Sequence, residues 1–269
     1  GMIQFTNRFH SPVEIDEKDF LVSMREGSAA QFRMEIVENG LEKACSLVQG
    51  KEKVILTLGC NSMINAKEEV DRTTIALPPA QEHLLEEIYR INPNVILVLF
   101  SNYPYSINMA QEKLPAVLWS ATGSQDMGTA MAETLFGKNA PAGRLNMTWY
   151  RSDEQLPDID DYDIIKGKRT YRYFDGDVLY PFGYGLTYSS FTYTDFSAVP
   201  EDNRKLRVSF CVTNTGDRVS DEVAQIYGTA PASRVTKPLK QLLGFRRLKD
   251  ILPGETRKAE FMISIEEFR

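Results

Sequence analysis

The chain has 269 residues, 42% hydrophobic and 25% charged, proportions of a globular protein that exclude wholesale disorder. Asp and Glu outnumber Lys and Arg by 37 to 31, for a net charge of −6. With no basic tract, the balance argues against nucleic acid or an anionic membrane as a partner. No apolar run approaches the ~18–20 residues that a membrane-spanning helix needs.

In chain order, residues 2–25 carry charges throughout and show no apolar stretch of the kind that marks a secretory leader. Residues 28–48 place Ala30, Phe32, Met34, Ile36, Val37, Leu41, Ala44 and Leu47 at helical spacing, with Gly50 behind them. That spacing predicts a helix ended by a glycine C-cap. VILTLG (54–59) is a continuous apolar run. Residues 79–91 repeat the helical pattern behind Pro78 and Pro79, natural residues for a helix start. VILVLF (95–100) and AVLWSA (116–121) are two more apolar runs, and 125–136 predicts another helix, ended by Gly137. Gln125 and Asp126 suit its N-terminus.

Short Val/Ile/Leu runs separated by helices predict parallel strands covered on both faces. Residues 1–150 are therefore expected to form an α/β domain, a mostly parallel sheet sandwiched by helices. Ligands of such sheets bind beyond the carboxyl ends of the strands, which points to 59–72 and 101–106. Residues 151–190 are rich in Gly, Pro, Asp and Tyr and read as an irregular linker. Alternating runs at 206–216, 222–230 and 255–264 predict an antiparallel β-sandwich over 191–269. It is short for seven strands, so it either draws strands from 186–198 or is truncated after Arg269.

Cys45, Cys60 and Cys211 are an odd, widely spaced set, neither a disulfide framework nor a zinc signature. They read as small buried hydrophobes. His10 and His83 are too isolated for a metal cluster. DEQLPDIDDYD (153–163) holds six acids but lacks the glycine-punctuated alternation of a calcium loop, so it reads as a solvated loop. No metal and no cofactor is expected.

Four blocks carry a resemblance. They are GCNSMINAKEEVDRTTIALPPAQEHLLEEI (59–88), GSQDMGTAMAETLFGKNAPAGRLNMTW (123–149), YRYFDGDVLYPFGYGLTYSSF (171–191), and 212–256 from VTNTGDRVSDEVAQIYGTAP through KPLKQLLGFRRLKDILPGET. In this order and spacing they resemble the C-terminal part of glycoside hydrolase family 3, the β-glucosidases and β-xylosidases. The resemblance implies an α/β sandwich domain followed by a fibronectin type III-like domain, with YPFGYGLTY as the joint. Relatives begin with a (β/α)₈ barrel bearing the nucleophilic aspartate. A barrel needs about 250 residues, so none is expected within this sequence. The resemblance then implies a carbohydrate substrate, a terminal β-glucoside or β-xyloside. It implies a catalytic barrel as partner, on another chain or another part of this one, and self-association through the barrel-facing surface. Relatives are often exported.

A retaining glycosidase needs two carboxyl groups about 5–5.5 Å apart. In many relatives the acid/base glutamate precedes an Asp-Arg pair. Aligning Asp71-Arg72 puts Glu68 on that position, with Glu69 adjacent. Arg72 and Tyr103 are the expected substrate-binding residues, and Tyr105 is a further candidate. From residues alone, NAKEEVDR is a charged loop before a helix, and Glu68 or Glu69 with Asp71 cannot flank a sugar from two sides. The isolated chain is therefore expected to be inactive. The alternative class is a non-catalytic module that binds carbohydrate or packs on a protein. The aromatic stretch 171–185 suits packing between the domains better than stacking on sugars, with Arg169, Arg172 and Asp175 as interface ion pairs.

Overall fold

The computed structural model describes residues 2–4, 13–15, 21–23, 31–33, 37–61, 72–264 and 266. Contacts group them into two units, Gly1–Gln49 and Gly50–Arg269.

The first unit contains β1 (Met2–Gln4), β2 (Val13–Ile15), β3 (Leu21–Ser23), β4 (Gln31–Arg33) and α1 (Gly40–Val48). β1 pairs antiparallel with β4, and β2 with β3. The helix expected over 28–48 therefore begins only at Gly40, and its first part contains a strand instead. Two local features explain the late start. Gln31-Phe32-Arg33 alternates polar and apolar, a strand period. Asn39 is the N-cap, its Oδ1 accepting from the N–H groups of Leu41 (3.2 Å) and Glu42 (3.3 Å), so the orphan donors of a first turn are satisfied there. At the other end Gly50 has φ +65°, as expected of a glycine beyond a helix C-terminus.

The second unit opens with β5 (Val54–Gly59), α2 (Pro79–Ile91), β6 (Val95–Phe100), α3 (Asn108–Lys113), β7 (Ala116–Ser120) and α4 (Met127–Leu135). The three strands form a parallel sheet in the order β5-β6-β7, with Gly59 opposite Phe100 and Phe100 opposite Ser120. In β6 the consecutive Leu97, Val98 and Leu99 are all buried, so the central strand is covered on both faces, as its unbroken apolar run requires. Pro78 and Pro79 start α2, which turns Leu85 and Ile88 inward. α3 is one short helix that the sequence pattern did not reveal, and α4 buries none of its residues. Cys45, Cys60 and Cys211 are free and half-buried, less enclosed than expected, because each stands near an exposed helix face, a strand end or a sandwich surface rather than in the core.

From 151 to 190 the chain is irregular apart from a 3-10 turn at Asp153–Gln155 and α5 (Thr170–Tyr173). Asp158, Asp161 and Asp163 accept hydrogen bonds from backbone N–H groups two or three residues on. These acids are turn-formers, which fits their reading as a solvated loop. Lys168 pairs with Asp175, while the Arg169 guanidinium donates to the backbone carbonyls of Asp158 and Asp161 instead of forming an ion pair.

The sandwich comprises β8 (Phe191–Pro200), β9 (Lys205–Asn214), β10 (Ser220–Gly228), β11 (Gln241–Ile251) and β12 (Thr256–Ser264). Its two antiparallel sheets are β12-β9-β8 and β10-β11. Alternate residues Val208, Phe210 and Val212 of β9 and Ala224 and Ile226 of β10 meet Leu248, Ile251, Ala259 and Ile263 in one core.

Two elements join the α/β part to the sandwich. Tyr171 stacks on Phe182 with centroids 4.0 Å apart, and both rings stand edge-on to Tyr227 of β10. Arg144, after α4, reaches Glu222 of β10, Nη2 to Oε2 at 2.6 Å, with the side chains 13% and 8% exposed. Tyr193 of β8 donates its hydroxyl to the other carboxylate oxygen at 2.7 Å. The aromatic stretch thus packs the two parts together.

Candidate active site

The carboxyl ends of β5, β6 and β7 lie side by side. Gly59 ends β5 with φ +143°, and a Cβ there would stand 1.9 Å from the carbonyl oxygen of Phe100. Only glycine lets the chain pass that close to β6. The next residue, Cys60, donates its N–H to the same oxygen at 2.8 Å.

From β6 the chain enters Ser101-Asn102-Tyr103-Pro104-Tyr105. Ser101 is fully buried, and its N–H donates to Ser120 O of β7 at 3.0 Å. Its hydroxyl receives Trp119 Nε1–H (3.0 Å) and donates to Tyr103 O (2.8 Å). This relay from β7 fixes the backbone of Tyr103. Asn102 Oδ1 accepts from the N–H and hydroxyl of Thr122 beyond β7, which ties the same segment to the third strand end.

Arg72 arrives from the segment after β5. Its guanidinium carbon lies 3.6 Å from the centroid of the Tyr103 ring and 5.2 Å from that of Tyr105. Nη1 donates to Pro104 O at 3.3 Å. A guanidinium stacked on a phenol ring gains about 0.5–2 kcal/mol from the ring quadrupole and is held in one plane. Beyond Arg72, Asp153 accepts from the Thr74 hydroxyl (2.6 Å) and the Ile75 N–H (2.8 Å), and Ser106 N–H donates to Ile75 O (2.8 Å). The Tyr105 hydroxyl is pushed up from its ordinary pKa, first by burial and then by the Tyr103 hydroxyl beside it. It stays protonated across the working range of an enzyme.

Of the residues singled out from sequence, Arg72 and Tyr103 are brought into contact. Glu68, Glu69 and Asp71 lie outside the described residues. Ser101, Trp119 and Gln81, whose carboxamide accepts from Gly59 N–H at 2.9 Å and donates to Gly59 O at 2.8 Å, were not anticipated. The only signal for Ser101 was its place directly after the central apolar run. Among the described residues no group of three or more His, Cys, Asp and Glu is placed to hold a metal ion. Two cavities lie away from these strand ends, about 610 Å³ between the sandwich sheets and about 280 Å³ at the joint around Arg144 and Glu222.

The glycosyl hydrolase family 3 C-terminal domain matches residues 6–188, and a fibronectin type III-like domain matches 222–269. The chain belongs to glycosyl hydrolase family 3. Within the family it is 35% identical over 237 residues to a β-xylosidase of Formosa agariphila, covering 86% of this chain and 32% of that protein. It is 39% identical over 197 residues to a xylan 1,4-β-xylosidase of Xylanibacter ruminicola, covering 73% and 22%. The crystal structure of β-glucosidase from Kluyveromyces marxianus in complex with glucose superimposes with a TM-score of 0.76 at 28% identity, covering 85% of this chain and 28% of that one. The chain therefore spans about a third or less of the family 3 proteins it matches.

Proposed function

We propose that this chain is the acid/base-bearing portion of a retaining β-glycosidase that removes terminal β-xylosyl or β-glucosyl units. The observation that carries the reading is the Arg72–Tyr103 stack at the carboxyl edge of a parallel sheet, Arg72 being the last residue of NAKEEVDR. Arg72 and Tyr103 offer donors to sugar hydroxyls. Glu68 protonates the leaving oxygen and then deprotonates the attacking water. A barrel, elsewhere on a longer chain or on a partner, supplies the nucleophilic aspartate at the ~5–5.5 Å separation that retention requires. Separated from the barrel, the chain is expected to be inactive and to cover its docking face by self-association.

The test joins the chain to a family 3 barrel from its genomic neighbourhood. Glu68→Gln should slow aryl β-xylosides or β-glucosides with poor leaving groups by about 10²–10⁴-fold, the worth of general acid assistance, and activated ones far less. Azide should restore turnover by attacking the glycosyl intermediate without base help. The same pattern in Glu69→Gln alone would move the assignment by one residue. Turnover by the isolated chain that vanishes in Glu68→Gln would overturn the need for a barrel. A barrel indifferent to this chain would favour a non-catalytic carbohydrate-binding or packing module.

A further inference from the structure

We infer that Ser101 is a positioning residue for the sugar contact of Arg72, acting through the Tyr103–Pro104 peptide; the inference rests on the reading above of Arg72 and Tyr103 as sugar-binding residues. Ser101 is fully buried directly after β6. Its Oγ accepts from Trp119 Nε1–H at 3.0 Å and donates to Tyr103 O at 2.8 Å. The direction of this relay is fixed. An indole N–H only donates and a carbonyl only accepts, whereas a hydroxyl does both with its single proton. Alanine offers neither role, and its presence here would leave an indole N–H and a carbonyl without the partner that each now has.

The carbonyl that Ser101 holds lies between the two groups that fix Arg72. On one side is the Tyr103 ring, its centroid 3.6 Å from the guanidinium carbon; on the other is Pro104 O, which accepts from Nη1 at 3.3 Å. Few rotations separate these groups. Proline has its φ locked at about −65°, and a residue before proline is confined to extended backbone. With Tyr103 O anchored, one peptide plane therefore places both contacts of Arg72. Tyr105, 1% exposed, backs the Tyr103 ring edge-on with centroids 5.5 Å apart. The chain beyond Arg72 is tied separately, by Asp153 to the Thr74 hydroxyl and the Ile75 N–H. A hydrogen bond to a sugar hydroxyl works over a donor–acceptor distance of about 2.7–3.2 Å, so a guanidinium that slides by about 1 Å loses it. Ser101 is where that slide is prevented.

A double-mutant cycle on the full chain joined to its barrel tests this. Ser101→Ala should raise KM for an aryl β-xyloside or β-glucoside about tenfold, the worth of about one net hydrogen bond. kcat should stay close to wild type, because the contact that weakens is made alike in the ground and transition states. Arg72→Ala should raise KM further. In the Arg72→Ala background, Ser101→Ala should change KM by less than about twofold, since its effect runs through Arg72. A serine that only stabilised the fold would lower the urea midpoint alike in both backgrounds and leave KM where it was. Trp119→Phe keeps a ring in place and frees the serine hydroxyl to turn away from Tyr103. It should give a smaller rise in KM that also disappears without Arg72, and the same cycle is read on it if Ser101→Ala does not fold. A rise that persists undiminished in the Arg72→Ala background would overturn the route through Arg72. A rise in Arg72→Ala with none in Ser101→Ala or Trp119→Phe, or a loss there confined to kcat, would overturn the positioning role and leave Arg72 as a sugar contact. No turnover by the joined wild type, or no rise in any variant, would overturn the reading of Arg72 itself and the positioning role with it.

Discussion

Glu222→Ala should uncouple the sandwich from the α/β part. The carboxylate is 8% exposed and serves two partners, Arg144 Nη2 at 2.6 Å and the Tyr193 hydroxyl at 2.7 Å. Removing it leaves a guanidinium that is 13% exposed with, among the described residues, the carbonyls of Ala142 and Gly143 as its acceptors, at 3.3 and 3.1 Å. Breaking a buried pair from one side costs about 3–5 kcal/mol, because the remaining charge is uncompensated. At about 2–4 °C per kcal/mol for a chain of this size, the midpoint should fall by roughly 6–20 °C. Replacing both partners by Met removes the uncompensated charge, and the double variant should be near neutral or more stable.

The two tryptophans, Trp119 and Trp149, both lie outside the sandwich strands. Urea titrations followed by tryptophan fluorescence therefore report the α/β part, while far-UV circular dichroism reports both parts. In wild type the two curves should coincide. In Glu222→Ala they should separate, and in Arg144→Met/Glu222→Met they should rejoin to the extent that the aromatic joint of Tyr171, Phe182 and Tyr227 suffices. A loss below about 1 kcal/mol in Glu222→Ala would refute the argument, because that is the worth of an exposed pair.

Gly59→Ala places a methyl 1.9 Å from Phe100 O at φ +143° and should cost at least about 3 kcal/mol in urea unfolding. Gly128→Ala, with nothing within 4 Å of its Cβ, should instead stabilise α4 by about 0.5–1 kcal/mol. Asp221 would be raised by burial, but the Asp250 N–H and the Arg247 guanidinium more than offset this and hold it below its usual 3.8. Its stabilising contribution is therefore full above about 3.8 and is lost as pH falls through the lower folded value. Asp221→Asn should be less stable than wild type near pH 6, and the difference should shrink as the pH falls below 3.8.

The three parallel strands were legible because each is a continuous apolar run of five or six residues, a signal that survives without knowledge of its neighbours. α2 was legible to the residue because two prolines start it. β11 was not. Its inward residues Leu248 and Ile251 are three apart, and its pairing with β10 shifts register twice, so no period of two runs through LLGFRRLKDI. β8 lost its alternation at the bulge around Asp195, where φ is +55°.

The candidate site divides along the same physical line. The general rule for parallel sheets pointed to the strand ends, and the family resemblance, through its Asp-Arg pair, pointed to Arg72. What holds those residues comes from partners far off in the chain. Trp119 is 18 residues from Ser101, Gln81 is 22 from Gly59, and Asp153 is 79 from Thr74. Each is a polar side chain whose pattern, taken locally, is that of an ordinary helix, strand or turn residue. A hydrogen bond between two such groups leaves no periodicity, since it depends on one donor and one acceptor meeting once. Residues that touch a sugar are constrained by the chemistry of sugars and so recur as recognisable motifs. Residues that aim them are constrained only by geometry, and many side chains can supply it. A pair such as Gln81 and Gly59 therefore emerges only when distances are measured.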